Sequence, residues 1–298
     1  MPSIDGQLFA TKSTESWAAT NLVEIQPGSS PFAAAGQLEA IQRPLIRGFI
    51  DRGAPGKPHS RHWATTFTTE LRSTPGTPSD SGGSEEYPEI DKLLRASGMA
   101  HEFISGTPSH TYTWLDNPNA SASVYSVDLL FEELNGGNSY TADDSNLSFT
   151  MQGGADALPS VSWSGVGSYA VPATVASPSS ATAVGGTPII PITAYSIAGE
   201  TSGIVIRDWT VNSGMTWTTR PDEATTNGNV WPAIGSRDAA VTFSMTIEAL
   251  DETTFSVFAN WAARTLADVT WTLSDGTRSI VITLNAVALN ATTVQQCT

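Results

Sequence analysis

Four histidines, His59, His62, His101 and His110, are the side chains of this 298-residue sequence best suited by type to metal or proton chemistry. His59-Ser-Arg-His62 has a spacing that suits a metal when both rings converge. No Cys partners it, however, and Arg61 lies between the two rings, so a metal site is not expected. Glu85-Glu86 and Glu132-Glu133 are adjacent carboxylates. Neighbours on a strand point to opposite faces, so neither pair makes an acid/base dyad, and both read as solvated charge. Neither a Gly-x-Ser-x-Gly elbow nor a phosphate-cradling Walker loop occurs. Nine Trp are enough for a sugar platform. Trp163, Trp217 and Trp271 fall in alternating stretches, though, where core packing is the stronger reading. The single cysteine, Cys297, excludes an internal disulfide and a Zn–Cys site. No constellation for catalysis emerges, so an enzyme is not expected and no cofactor is implied.

The elements that frame these residues are mostly short strands. Charged residues make up 14% of the chain and hydrophobic ones 40%, with many Gly, Pro, Ser and Thr, which suits an all-β protein and argues against disorder. The chain is organised around residues 61–98. In 63–71, Trp63, Thr65, Phe67, Thr69 and Leu71 share one face, and Ala64, Thr66, Thr68 and Glu70 the other, the period of a half-buried strand. A loop rich in Pro, Gly and Ser follows. Residues 88–98 then read as a helix, with Pro88 in the first turn and Gly98 just past the end. Ile90, Leu93 and Leu94 form its apolar stripe.

Before this stretch, residues 1–40 read either as an arm that docks on a neighbouring subunit or as a frayed terminus. They hold a short strand at 23–25, and a short helix is expected at 32–42. A strand is expected at 45–51. After the helix, strands are expected at 101–104, 110–115, 123–132, 139–144, 146–151 and 159–165. The low-charge, Pro/Gly/Ser-rich residues 171–188 mark the best internal boundary. They divide the chain into a unit at 1–175, a linker at 176–188 and a second half at 189–298. In that half, strands are expected at 189–197, 204–211 and 215–219, a long polar loop at 220–235, and a strand at 238–249. A second helix follows, with Phe255, Phe258 and Ala262 on one face. Strands at 269–273 and 279–288 join through an Asp275-Gly276 turn. Strand–helix–strands thus occurs twice, which suggests a duplication.

The run Thr65-Thr-Phe-Thr-Thr-Glu-Leu-Arg-Ser73, followed after a loop by Pro88-Glu-Ile-Asp-Lys-Leu-Leu-Arg-Ala-Ser-Gly98, resembles the signature of bacteriophage tail tube proteins, the major tail proteins of long-tailed phages. The likeness is strongest over about residues 60–180, and this chain departs from it by a longer, more acidic loop at 73–86. The resemblance implies a structural virion protein without enzymatic activity. It implies a β-sandwich or barrel unit with a packed helix, assembling into a ring-shaped β-barrel. Rings would stack into the tube through which DNA is ejected. Implied partners are further copies of the chain, a tape measure protein, a tail terminator and distal tail proteins. Assembly would take place in the host cytoplasm. A real duplication implies trimeric rings with pseudo-six-fold symmetry; otherwise hexameric rings are expected.

Charge fits two readings. The net charge of −15, from 14 Lys+Arg against 29 Asp+Glu, suits solubility or a channel wall that repels a polyanion. It does not suit phosphate binding. Arg43, Arg47, Arg52, Lys57, Arg61 and Arg72, six of the 14 basic residues, fall within one segment. They read as a ring-stacking contact to the acidic face of another copy, or as a solvated hairpin. No charged start followed by an apolar run opens the sequence, and no apolar segment is long enough to span a membrane, so neither a signal peptide nor membrane association is expected. The second class of function is a surface-displayed β-sandwich module that binds carbohydrate, supported by the Trp content and the Thr/Ser-rich strands.

Overall fold

Alternation along residues 63–71 is realised side chain by side chain. Trp63, Thr65, Phe67, Thr69 and Leu71 are buried, whereas Thr66 is exposed and Ala64, Thr68 and Glu70 are half-buried. The computed structural model describes residues 6–13, 15–16, 22–26, 31–38, 58–74, 76–80, 86–119, 125–133, 138–155, 157–173, 192–197, 199, 201–221, 229–236, 241–249 and 266–288. Among the described residues, strands hold 70% and helix 3%, a nearly all-β structure.

The first elements are β1 (Gly6–Lys12), β2 (Leu22–Val23), β3 (Phe32–Leu38), β4 (Pro58–Glu70) and α1 (Asp91–Ala96). Next come β5 (Met99–Ile104), β6 (Ser109–Trp114), β7 (Val127–Glu133), β8 (Ser139–Gly154) and β9 (Ala157–Tyr169). The second half adds β10 (Ile192–Ile197), β11 (Ile204–Asn212), β12 (Thr216–Pro221), β13 (Asn229–Ser236), β14 (Thr242–Ala249), β15 (Leu266–Ser274) and β16 (Ser279–Ala288). The main sheet runs β2-β1-β7-β8-β9-β4-β3, and β11 attaches to β8 and carries β14. Each of these pairings is antiparallel.

The 16-residue β8 is the hub. Its first part pairs with β7, its last part, from Thr150 to Gly154, with β11, and its other edge with β9. The sheet of residues 6–169 therefore continues into the second half of the chain. It also curls. Phe32 on β3 packs against Trp63 at 5.8 Å and reaches Phe131 of β7 at 6.3 Å. Beyond β2, Ile25 bridges Thr69 of β4, and Gln26 N–H donates to Thr68 O at 2.9 Å. The two ends of the sheet thus meet along β4, and the apolar faces enclose Leu8, Phe67, Leu129, Leu147, Val161 and Trp163. Helix α1 inserts Leu93 and Leu94 into this core, with Ile90 buried just before it. A second layer, β10-β15-β16, lies on β11 and β14. Trp271 contacts Trp209 and stacks on Phe243, both at 5.2 Å between ring centroids.

Several local expectations are corrected. Residues 32–38, expected to start a helix, are strand β3, because pairing with β4 satisfies their backbone and packs the half-buried Phe32 against the core. Of the loop expected at 220–235, residues 220–221 belong to β12 and residues 229–235 to β13, which pairs with β12. The strands expected at 139–144 and 146–151 are one strand, β8, with an irregularity at Asp143/Asn146 where Asp144 takes φ 50°. Helix α1 begins at Asp91, and Pro88–Ile90 form a turn closed by Asp91 N–H to Pro88 O at 2.9 Å. Its end is as expected: Gly98 adopts φ +79° and Ser97 Oγ caps Leu93 O at 2.8 Å. The second helix, with Phe255, Phe258 and Ala262, and the linker at 176–188 lie outside the described residues, as do Arg43, Arg47, Arg52 and Lys57.

Candidate functional site

The polar residues of the Thr-rich strand and the helix meet at the end of β4. Arg72 contacts Glu24 at 2.5 Å, just past β2, and Glu70 at 3.1 Å. Glu24 N–H in turn donates to Glu89 Oε1 at 2.5 Å, ahead of α1. Three carboxylates and one guanidinium thus join β2, β4 and the helix. Burial pushes the Glu89 carboxyl up to about 7, against the opposing pull of the Glu24 N–H and of Arg72. On the helix, Asp91 accepts from Tyr112 OH at 2.7 Å and lies 3.6 Å from Arg95, whose guanidinium sits 4.3 Å over the Tyr125 ring. These contacts fix the helix on the sheet, which is a structural task.

Of the six basic residues expected to contact another copy, two are described. Arg61 is exposed, and its guanidinium lies 5.8 Å from the Tyr169 ring. Arg72 uses its charge within the chain, in the cluster above. Among the histidines, His62 lies opposite Ser168 of β9, far along the chain from the other pair. His101 Nε2 and His110 Nδ1 meet at 2.9 Å across the β5–β6 hairpin. Glu132 is buried, and the half-buried Glu133 accepts from Tyr140 OH at 2.9 Å. Among the described residues, no group of three or more His, Cys, Asp or Glu is arranged to hold a metal ion.

The outer face of the main sheet carries a feature that no single stretch of sequence displays. Thr68 lies opposite Ser162, Ser162 opposite Thr150, Thr150 opposite Asn212, and Asn212 opposite Thr242. A second row runs Glu70, Ser160, Gln152, Thr210 and Ser244, and a third Thr66, Ser164 and Ser148. Except for Ser160, these residues are half-buried or exposed. The side chains bond to each other across strands: Ser148 Oγ to Ser164 Oγ at 2.9 Å, Asn212 Nδ2 to Thr150 Oγ1 at 3.2 Å, and Thr68 Oγ1 to Ser162 Oγ at 3.3 Å. The rows hold no Lys or Arg. At their margin Asp208 accepts from Thr246 Oγ1 at 2.9 Å, and Arg207 is paired to Glu248. Five adjacent strands, β4, β9, β8, β11 and β14, thus present a neutral-to-acidic hydroxyl surface. Period-two Thr and Ser mark each row in the sequence, but their alignment depends on pairings between distant segments.

The Trp side chains take the opposite route. Trp63, Trp163, Trp209 and Trp271 are buried, Trp114, Trp217 and Trp231 are half-buried, and no described Trp is exposed. Among the described residues, no helix is long and apolar enough to cross a membrane. Compared with protein-family models and with curated proteins, the chain matches none.

Proposed function

We propose that this chain is a structural subunit of a phage tail tube, whose copies form rings that stack around a DNA channel. The observation that carries the reading is the continuous hydroxyl face across β4, β9, β8, β11 and β14. A channel wall for a polyanion must be wettable and must not hold phosphate. Ser, Thr, Asn and Gln supply the first property, and the absence of Lys and Arg from the rows supplies the second. The net charge of −15 adds repulsion.

Edges support the same reading. Among the described residues β3 pairs only with β4, and β14 only with β11, so each of these two strands keeps one unpaired edge. Edge-to-edge pairing between copies removes both edges and closes a ring. The basic segment with Arg43, Arg47, Arg52, Lys57 and Arg61 bridges successive rings; Arg72 is left out of this set because its charge is held by Glu24 and Glu70. A trimer with pseudo-six-fold symmetry follows if the two halves of the chain are a duplication, and a hexamer if they are not. No described Trp is exposed, so the carbohydrate-binding alternative finds no open Trp platform among the described residues.

Electron microscopy of the concentrated full chain tests this. Rings or tubes with an open channel are expected, with three-fold or six-fold density in end-on views. Monodisperse monomers at every salt concentration, together with retention of the protein on a glycan array, would overturn the reading in favour of the carbohydrate-binding module.

A further inference from the structure

Residues 24–26 close the curled sheet, and their hold on β4 is short. Ile25 bridges Thr69, and Gln26 N–H donates to Thr68 O at 2.9 Å. The contacts that back this seam are ionic. Glu24 binds Arg72 Nη1 through its carboxylate and Glu89 Oε1 through its backbone N–H, both at 2.5 Å. Arg72 also holds Glu70 at 3.1 Å. The seam, the end of β4 and the turn ahead of α1 thus meet in one cluster.

Charge in this cluster does not balance. Three carboxylates, Glu24, Glu70 and Glu89, face one guanidinium. Glu24 and Glu70 touch Arg72 directly, and Glu89 takes the Glu24 N–H instead. The charges of α1 are committed elsewhere, Lys92 to Glu15 at 3.3 Å and Arg95 to Asp91 at 3.6 Å. A half-buried carboxylate beside an already shared cation is relieved by a proton, and with Oε1 accepting from Glu24, Oε2 carries it. We propose that Glu89 is a proton-controlled clasp on the sheet closure, holding residues 24–26 on β4 while it keeps its proton and releasing them when the proton is lost.

Glu24 faces Glu89 from the seam, and Glu70 and Arg72 face it from the end of β4. Burial is the largest influence and pushes the carboxyl from 4.5 up to about 7; Glu24 and Glu70 add to it, and the Glu24 N–H and Arg72 oppose it. Lifting residues 24–26 off β4 hydrates the carboxyl and returns it toward the ordinary range. Near neutral pH the open form has therefore lost the proton that the closed form keeps. The clasp is firmest below pH 4.5 and weakens as pH rises toward and past 7.

Amide hydrogen exchange of Gln26 in the full chain, corrected for intrinsic rates, tests the clasp. Between pH 5.5 and pH 7.5 its protection is expected to fall roughly 20-fold, the change in proton linkage between carboxyls that titrate at 4.5 and at about 7. Because the opening is local, low urea is expected to leave Gln26 exchange unchanged while it speeds exchange in β8 and β9. Glu89→Gln keeps a carbonyl oxygen for the Glu24 N–H and cannot ionise, so its Gln26 protection is expected to be the same at both pH values. Equal wild-type protection at both, the same loss in Glu89→Gln, or a urea dependence matching that of β8 and β9 overturns the proposal. Carboxyl-carbon NMR of the wild type needs no variant. A Glu89 titration near 7 is expected, and one at 4.5 would overturn the clasp.

Discussion

Glu89 has a protonation equilibrium opposite to that of an ordinary surface carboxylate. Its folded value of about 7 lies above the ordinary 4.5 because burial outweighs Arg72 and the Glu24 N–H. The fold therefore binds a proton that the unfolded chain has lost. Stability from this group is complete below pH 4.5 and is lost as pH rises toward and past 7. Glu89→Gln is expected to raise stability at pH 8 by about 1–3 kcal/mol, since each tenfold difference in proton affinity between the folded and unfolded chain is worth roughly 1.4 kcal/mol. The gain should vanish at pH 4, and thermal melts at the two pH values measure it. A gain of the same size at both would assign the effect to packing instead. Nearby, Trp163 Nε1–H donates to Thr69 Oγ1 at 3.0 Å inside the core. Thr69→Val keeps the shape but strands that N–H, so urea denaturation should show a loss of about 1–3 kcal/mol.

At the scale of elements, the sheet depends on close backbone approach. A Cβ at Gly165 on β9 would lie 2.2 Å from the Asn146 carbonyl oxygen of β8, whereas one at Gly106, in the hairpin turn, meets nothing within 4 Å. Gly165→Ala should therefore destabilise by more than about 2 kcal/mol, through a backbone shift in the hub pairing, while Gly106→Ala should stay within about 0.5 kcal/mol of wild type. Comparison of the two melting temperatures decides. For α1, Leu93 is fully buried, and Leu93→Ala should cost about 2–5 kcal/mol. The helix's apolar stripe and its glycine stop were legible because both depend on residues a few positions apart. Its start was misplaced by three residues, because Pro88 suits a preceding turn as well as a first helical turn.

For the whole molecule, the tube reading makes charge the sensitive variable. Ser148→Lys with Ser164→Lys would place two cations on adjacent strands of the hydroxyl face. The assembled double variant is expected to retain duplex DNA at low salt and release it at high salt, while the wild type does not, as read by co-sedimentation. Neutralising Arg47, Arg52 and Lys57 together is expected to leave single rings and abolish long tubes in micrographs. Unchanged tubes would remove that segment from the stacking contact.

The sequence by itself determined which residues alternate, where Gly and Pro break the chain, and that the protein is all-β, since each of these follows from steric rules acting over a few residues. It also marked Trp163 and Trp271 as core, because their neighbours keep a period of two. It did not disclose strand β3, an Ala-rich stretch without a marked period, whose backbone becomes strand only through pairing with β4. The same holds for β13, where Pro232 and Gly235 read as turn residues and the backbone becomes strand through pairing with β12. The cross-strand hydroxyl rows, the Glu24–Arg72 contact and the closure at Ile25–Thr69 likewise belong to tertiary structure. Each joins segments tens of residues apart, and which partner a strand edge takes depends on the shape and burial of the whole sheet rather than on its own residues.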